Sequence, residues 1–196
     1  MVWKDIQIEA TEEGGTFQLG IVNFPEAEIN GFEADFSWLP AENWQLTGTL
    51  GYNDAELSED AVLFPDAEEP KEAVKGTRLP IVPEWKGSLM AQYNFNGQLW
   101  NATPYLIGVY QYQGDSVNSL AGITSTLGSN TVRTQPSYSI FNLRFGLDSL
   151  NWSVALYVDN VFNKYAKVLY NDRWIKTRLS TSRPRRIGIN YRYTWD

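Results

Sequence analysis

The side chains of this sequence that could perform chemistry are carboxylates, guanidinium groups and aromatic rings, because histidine and cysteine are both absent. Without them the sequence offers no Ser-His-Asp triad, no thiolate nucleophile, no disulfide and no His- or Cys-ligated metal site. The densest acidic segment, residues 54–72, could bind calcium or a cationic ligand, but its spacing does not follow an EF-hand loop. A solvated loop is the favoured interpretation, and no catalytic residue, metal site or cofactor is predicted.

Two further charged groups have a possible chemical role. Glu33 and Asp35 lie two residues apart and would share one face of a strand, as a glycosidase pair could, although a polar ladder is the favoured interpretation. A basic stretch near the C-terminus could form charge-assisted hydrogen bonds with lipopolysaccharide phosphates or an anionic ligand, or it could pair with the acidic loop. Its members are Arg173, Lys176, Arg178, Arg183, Arg185 and Arg186.

Length and charge narrow the class of protein. The chain has 196 residues, which suits one domain of ordinary size. Its formal net charge of −7 argues against nucleic acid as a partner, since nucleic-acid binders carry a basic surface. No apolar run approaches the roughly 20 residues of a membrane-spanning helix. The N-terminus lacks the pattern of a signal peptide, so the chain is expected either to be cytoplasmic or to begin inside a longer protein.

Apolar and polar residues alternate with a period of two along most of the sequence, which indicates β-strands with one apolar and one polar face. Phe32, Phe36 and Trp38, for example, alternate with Glu33 and Asp35. Most segments run about 9–11 residues, which is the length of a tilted strand that crosses a bilayer. The predicted strands are residues 2–10, 29–39, 44–53, 85–95, 101–112, 138–147, 152–162 and 186–195.

Short and long connections alternate strictly between these segments. In an up-and-down sheet, this alternation places all short turns at one end and all long loops at the other. Outer-membrane barrels have that asymmetry, whereas long structureless loops are uncommon in a compact soluble domain. The tight connections are residues 40–43, 96–97 and 148–151, and the long ones are residues 11–28, 54–83, 113–136 and 164–184.

Aromatic residues cluster near the ends of the predicted strands, as expected for rings that anchor at the two membrane–water interfaces. One belt lies beside the short turns and the C-terminus, and the other lies near the long loops. The alternative is that the tryptophans fill a soluble core. The first belt contains Trp38, Trp44, Trp100, Trp152 and Trp195, and the second contains Tyr52, Trp85, Tyr110, Tyr138 and Phe162.

These patterns predict an all-β fold, an antiparallel up-and-down transmembrane β-barrel. Two other architectures stay open. One is a self-contained eight-stranded barrel with a structural or adhesive role, because eight strands can close around their own side chains. The other is a soluble β-sandwich that binds carbohydrate. An enzyme is the least favoured class, because no compact acid–base group is found.

Several motifs in order resemble the C-terminal third or so of a TonB-dependent outer-membrane receptor barrel. Residues 157–165 are the closest match and resemble the Asn-Leu-Phe-Asp-x-x-Tyr motif of that family's penultimate strand. Residues 76–83 resemble its Gly-x-x-Leu-Pro-x-x-Pro segment, and residues 183–193 resemble its last strand. Two weaker matches, at residues 2–7 and 30–33, extend the resemblance over nearly the whole chain.

The resemblance implies a 22-stranded barrel plugged by an N-terminal domain, of which residues 1–196 would supply about eight C-terminal strands and no plug. It implies TonB-dependent uptake of a scarce ligand such as a ferric siderophore, cobalamin or an oligosaccharide, in the outer membrane of a Gram-negative bacterium. The implied partners are outer-membrane lipid, lipopolysaccharide, the barrel-assembly machinery and, through the missing plug, the TonB complex. Aromatic residues at loop bases could stack on the ligand or belong to the belt: Tyr110, Tyr112, Tyr170 and Trp174.

Overall fold

A computed structural model of the chain describes residues 1–12, 18–63, 71–120, 132–171 and 178–195. Within these ranges no helix is long and apolar enough to cross a membrane. The described residues form fourteen β-strands, numbered in chain order. They are β1 (Val2–Glu12), β2 (Gln18–Ala41), β3 (Trp44–Leu57), β4 (Ala61–Leu63), β5 (Lys71–Ala73), β6 (Trp85–Asn94), β7 (Thr103–Gln113), β8 (Ser116–Val117), β9 (Thr134–Gln135), β10 (Tyr138–Asp148), β11 (Trp152–Asp159), β12 (Lys167–Asn171), β13 (Arg178–Thr181) and β14 (Arg186–Tyr193).

Eight of the strands form one antiparallel sheet in the order β1-β2-β3-β6-β7-β10-β11-β14, and we call these the wall strands. Each wall strand pairs with the wall strand that precedes it in the chain, so the topology is up-and-down throughout. The prediction of an all-β, antiparallel, up-and-down architecture is confirmed. Among the described residues β1 and β14 form the two edges and do not pair with each other. A single continuous sheet also excludes a sandwich of two packed sheets.

Six of the seven connections between wall strands are sorted as predicted, and the exception is the connection between β1 and β2. Those between β2 and β3, β6 and β7, and β10 and β11 are short and define the turn end of the sheet. The connections between β3 and β6, β7 and β10, and β11 and β14 are long and define the hairpin end. We expected the long connections to be irregular loops. Each of these three instead contains a two-stranded hairpin, namely β4–β5, β8–β9 or β12–β13.

The predicted long loop at residues 11–28 is wrong. Strand β2 begins at Gln18, and its pairing with β1 continues to Glu12 opposite Gln18. The alternation is interrupted here by the adjacent apolar residues Ile21 and Val22. Ladder hydrogen bonds need only backbone groups, so the two strands pair although the side-chain pattern does not mark them.

The predicted tight turn at Asn96-Gly97 is also displaced. The chain reverses at Trp100-Asn101, where both φ angles are positive (54° and 59°), between the paired residues Leu99 and Ala102. Two positive φ angles are the geometry of a type I′ hairpin turn. Gly97 also has a positive φ, of 95°, and lies in an irregular segment before the turn. The Asn-Gly pair therefore marks this irregularity and not the reversal.

The register places apolar side chains on one face of the sheet and polar side chains on the other. On the apolar face, Phe32 pairs with Tyr52, which pairs with Trp85. On the polar face, Asp35 pairs with Thr49, which pairs with Ser88. No other element of the described part of the chain covers the apolar face, and its large side chains are strongly exposed.

The buried hydrophobic cluster lies toward the hairpin end and not under the middle of the sheet. Leu57 of β3 and Leu120 after β8 are fully buried there. They pack with alanines of β2, β3, β4 and β5, and with Leu79. The hairpins are thus held against the wall by their own small core, while the sheet presents its broad apolar face outward.

Candidate functional site: two faces and the hairpin end of the sheet

Aromatic rings of the apolar face form two separate groups along the strands. Near the hairpin end the Tyr52 and Trp85 rings lie 4.8 Å apart, and Phe32 lies 6.0 Å from each. Near the turn end the Trp44 and Tyr93 rings lie 4.9 Å apart. From Trp85 to Tyr93 strand β6 rises about 27 Å at about 3.4 Å per residue. With strand tilt, that separation suits the apolar band of about 25 Å in an outer-membrane barrel.

The five tryptophans assigned to the turn-end belt lie at the turn end of the sheet, and their anchoring in a membrane interface stays a prediction. Trp38 and Trp44 are exposed on the apolar face, and Trp152 pairs in register with Tyr193 of β14. Trp195 lies just beyond β14, with its ring 5.2 Å from that of Tyr193. Trp100 occupies the apex of the β6–β7 turn and is 76% exposed.

The hairpin-end belt needs one correction. Trp85, Tyr52 and Tyr110 lie on the apolar face, and the Phe162 ring stacks 6.0 Å from that of Phe141. Tyr138 instead lies on the polar face, because it pairs with Gln113 and its hydroxyl donates to the Gln113 side chain at 3.2 Å. Tyr138 is the first residue of β10. The apolar residues of that strand occupy odd-numbered positions from Phe141 onward, so the even-numbered Tyr138 lies on the opposite face.

The polar face contains two shallow concave regions. The one nearer the hairpin end has a volume of about 600 Å³ and is lined by Glu33, Asp35 and Lys86, among others. The two carboxylates of β2 thus share this region with the Lys86 ammonium of β6 and with polar side chains of β3. The region nearer the turn end has a volume of about 430 Å³, and its charged lining residues are Arg144, Asp148 and Arg192.

A buried asparagine closes the base of the last hairpin connection. Asn160 follows β11 and is 3% exposed. Its side-chain amide donates to the carbonyl oxygens of Lys164 and Arg183, each at 2.9 Å, and its side-chain oxygen accepts from the Lys164 backbone N–H at 2.8 Å. Its backbone N–H donates to the Asn142 side chain at 2.8 Å. One side chain thus joins both ends of the connection that carries β12 and β13.

A second polar contact joins two neighbouring hairpin connections. The Arg78 guanidinium donates to an Asp115 carboxylate oxygen at 3.0 Å and to the Asp115 carbonyl oxygen at 3.2 Å. It also lies 3.7 Å from a Glu84 carboxylate oxygen. Residues 76–83 and 157–165, the clearest motifs in the sequence, therefore organise the hairpin end. Sequence reasoning recognised the motifs but assigned no role to Arg78 or Asn160.

The candidate ligand residues do not form one group. Tyr110 and Tyr112 lie on the apolar face, paired with Leu89 and Gly87, which suits the belt interpretation of these two residues. Tyr170 lies in β12, where the Arg133 guanidinium and the Lys167 ammonium approach its ring at 5.7 and 5.8 Å from the centroid. Trp174 is outside the described residues. Contact of any of these side chains with a ligand stays a prediction.

The charged segments are only partly described. Asp54 and Glu56 belong to β3, and the Asp60 side chain accepts from the Lys75 backbone N–H at 2.7 Å. No group of three or more acidic, His or Cys residues in the described ranges is arranged to hold a metal ion. In the basic stretch, Arg186 pairs with Asp159 at 2.7 Å and not with the acidic loop. Arg173 and Lys176 are outside the described residues.

The fold and the two faces define the wall of an integral outer-membrane β-barrel. The family model of the TonB dependent receptor-like β-barrel matches residues 4–161. The chain therefore belongs to the TonB-dependent receptors, which are integral outer-membrane proteins of Gram-negative bacteria.

Individual relatives agree with this assignment. The chain is 28% identical over 169 residues to the metal-pseudopaline receptor CntO of Pseudomonas aeruginosa. That alignment covers 85% of this chain and 21% of the receptor. The ferric yersiniabactin uptake receptor FyuA from Yersinia pestis superposes with a TM-score of 0.68 at 16% identity, over 98% of this chain and 26% of that chain. The ferric-catecholate import receptor Fiu from E. coli K12 superposes with a TM-score of 0.68 at 15% identity, over 98% of this chain and 24% of that chain. The chain thus spans about a fifth of its relative's length and about a quarter of these structures.

Proposed function

We propose that residues 1–196 form the C-terminal wall and outer hairpins of a receptor that takes up a metal chelate by a TonB-dependent route. The observation that carries this proposal is the family match over most of the chain. The choice of ligand class is supported by the relatives, since CntO is a metal-pseudopaline receptor and FyuA takes up ferric yersiniabactin. Cobalamin and oligosaccharides, the other ligands considered from the sequence, have no such support.

The hairpin end of the sheet is the end that we expect to meet the ligand. The hairpin connections project from the end that faces the cell exterior in this family of barrels, so they would meet the ligand first. The Asn160 and Arg78 contacts hold the hairpins in fixed positions, which limits the entropy lost when a ligand binds. Energy would reach the barrel through a plug segment and the TonB complex, neither of which these residues supply.

We place the membrane partners on the apolar face. Trp38, Trp44, Trp100, Trp152 and Trp195 would anchor in one headgroup layer and Trp85 in the other. Lipopolysaccharide would contact the exterior side, and the barrel-assembly machinery would engage the chain as the sheet is inserted. From the basic stretch, Arg178, Arg183 and Arg185 lie within the described residues and could meet lipopolysaccharide phosphates.

Within the hairpins, Tyr170 is the ligand contact that we favour. Two cations, Arg133 and Lys167, lie 5.7 and 5.8 Å from the centroid of its ring, so a chelate with anionic and planar groups would find positive charge beside an aromatic ring. Replacing Tyr170 by Ala is expected to weaken chelate binding by about 2- to 10-fold, from a stacking contribution of about 0.5–1.5 kcal/mol. Tyr165→Ala is the matched control, because Tyr165 is an exposed tyrosine of the same connection.

The function is tested by uptake in cells. A strain lacking the gene is supplied with radiolabelled ferric yersiniabactin, a ferric catecholate or metal-pseudopaline, with and without a protonophore. We expect one chelate to accumulate only when the gene is restored and only while the proton gradient is intact. Equal accumulation of all three chelates in deleted and restored strains would contradict the proposal.

A further inference from the structure

The Asn96-Gly97 pair lies at the turn end of the sheet, where the local backbone leaves room for a reaction between the two residues. The pair follows β6 and precedes β7, so it is outside the strand ladder. Both residues are exposed. Gly97 has a φ of 95°, and a Cβ atom built there would meet no described residue within 4 Å apart from its chain neighbours. The Gly97 backbone nitrogen therefore lies in open space, with no side chain of its own to obstruct it.

A second asparagine holds the Asn96 side chain. Asn43, in the β2–β3 turn, donates from its side-chain amide to the Asn96 side-chain oxygen at 2.8 Å. The backbone supports this contact, because the Asn94 N–H donates to the Asn43 carbonyl oxygen at 2.9 Å. A donor at a carbonyl oxygen stabilises the negative charge that develops there when a nucleophile adds to the carbon. Asn43 therefore makes the amide carbon of Asn96 a better electrophile.

The sequence contains one other Asn-Gly pair, Asn30-Gly31, and its surroundings differ. Both of its residues lie inside β2 and pair with β3. A Cβ atom at Gly31 would clash with the Tyr52 carbonyl oxygen, and the Asn30 side-chain amide donates to Glu28 at 3.0 Å. In an extended strand the side chain stands out of the pleat, away from the next peptide nitrogen. Both Asn-Gly pairs are exposed, so backbone conformation and not access distinguishes them.

We propose that Asn96 is a site of spontaneous deamidation and that Asn43 activates it. The Gly97 nitrogen attacks the side-chain amide carbon of Asn96, and the new C–N bond closes a cyclic succinimide. The amide nitrogen of Asn96 leaves as ammonia and takes the proton that the Gly97 nitrogen releases. Water then opens the ring at either of its carbonyl carbons, which gives aspartate or isoaspartate. The reaction is intramolecular, so the open backbone at Gly97 decides whether the reacting atoms can meet.

The modification changes both the charge and the path of this connection. Either product replaces a neutral amide by a carboxylate, to which the Asn43 amide can still donate. Isoaspartate also adds a methylene group to the backbone ahead of the Trp100-Asn101 reversal. The inference goes beyond the proposed uptake function and holds for any transported ligand.

The test uses the intact receptor, purified in detergent and incubated in mildly alkaline buffer. Peptide mass spectrometry follows deamidation at Asn96 and at Asn30, in the folded protein and in urea. We expect aspartate and isoaspartate to accumulate at Asn96 but not at Asn30 in the folded protein, and at both sites in urea. Asn30 is thus a control within the same molecule. The site is refuted if Asn96 keeps its amide in the folded protein, or if the two sites react there at the same rate.

The role of Asn43 is tested by two variants of the same receptor. Asn43→Ala is expected to slow deamidation of the folded protein by about 2- to 10-fold, the factor that corresponds to one net hydrogen bond, and to leave the rate in urea unchanged. Asn43→Asp keeps the size of the side chain but removes the donor, so it should slow the reaction as well. Asn151→Ala, in the β10–β11 turn, is the matched control and should leave the rate unchanged. Rates in both Asn43 variants that equal or exceed the wild-type rate would overturn the role of Asn43.

Discussion

At the residue scale, a few polar and small side chains determine how the wall meets its connections. Asn160 contributes three side-chain hydrogen bonds from a buried position, and it joins both ends of the β12–β13 connection. Glycines serve a different purpose, since the ring of Tyr157 lies over Gly188 as that of Tyr105 lies over Gly146. These positions leave little freedom for substitution, because a partner atom already occupies the space or accepts the bond.

Replacing Asn160 by Ala is expected to destabilise the folded protein by about 1–3 kcal/mol, because two carbonyl oxygens and the Lys164 N–H lose their partner at a partly buried place. Asn163→Ala is the matched control. Asn163 has the same φ of 52°, so both substitutions lose the same backbone preference, but its side chain accepts only one bond, from the Arg185 N–H. Denaturant unfolding in detergent measures the free energy of unfolding of both variants. Equal losses for the two variants would show that backbone conformation and not hydrogen bonding matters at Asn160.

A second substitution tests the packing of rings on glycine. Gly188→Ala is expected to destabilise by about 1–3 kcal/mol, because the new methyl group would occupy the position of the Tyr157 ring. At Gly51, also on the polar face, a Cβ atom would meet only the Glu33 side chain at 3.8 Å, which is ordinary contact. Gly51→Ala is therefore expected to be nearly neutral, and thermal melting of both variants in detergent measures the difference. If Gly188→Ala and Gly51→Ala had the same melting temperature, the Tyr157 ring could move aside without cost, and the prediction would be contradicted.

At the element scale, the positions of the strands could be predicted from the sequence, but the structure within the connections could not. Alternation is a local signal, so the presence of all eight wall strands and the short or long character of six of their seven connections were predictable from residue types alone. The start of β2, the hairpins and the Asn160 contacts depend on pairing between distant residues, which no local pattern reveals. Tyr138 was misplaced for a related reason, since a shift of one residue moves a side chain to the other face.

The β6–β7 reversal gives a test at this scale. Asn101 has a φ of 59°, a region that Gly and Asn adopt readily and β-branched residues avoid. Asn101→Val is expected to destabilise the hairpin by about 1–2 kcal/mol, from the strain of that φ, while Asn101→Gly stays close to the wild type. Thermal melting of the two variants side by side measures the difference. A Val variant as stable as the Gly variant would place the turn elsewhere, such as at Asn96-Gly97.

At the scale of the whole molecule, the sheet that the described residues form is open, with β1 at one edge and β14 at the other. Strands β1 and β14 present unpaired backbone groups along their outer edges, and hydrocarbon does not tolerate such groups. Ile187 and Ile189 of β14 are 76% and 69% exposed, so the edge is apolar as well. The family assignment agrees with this incompleteness, because the chain covers only 26% of the FyuA chain.

Residues 1–196 expressed alone are therefore expected to aggregate or to close into a non-native assembly. Size-exclusion chromatography in detergent, followed by a thermal melt, measures the outcome, and the intact receptor serves as the control. A monodisperse monomer that melts cooperatively would contradict the interpretation of the chain as part of a larger barrel, and it would revive the self-contained eight-stranded alternative.

The order of the wall strands also bears on how the protein is made. Every wall strand after β1 pairs with the one before it in the chain, so no pairing within this sheet has to wait for a distant segment to be synthesised. Each added strand closes only the loop formed by its own connection, and the entropy of closure grows slowly with the length of that loop. The sheet can therefore grow strand by strand from one edge, with folding speed governed by nearest-neighbour pairing and not by chain length. Lengthening a hairpin connection would slow one step of this growth and leave the others unchanged.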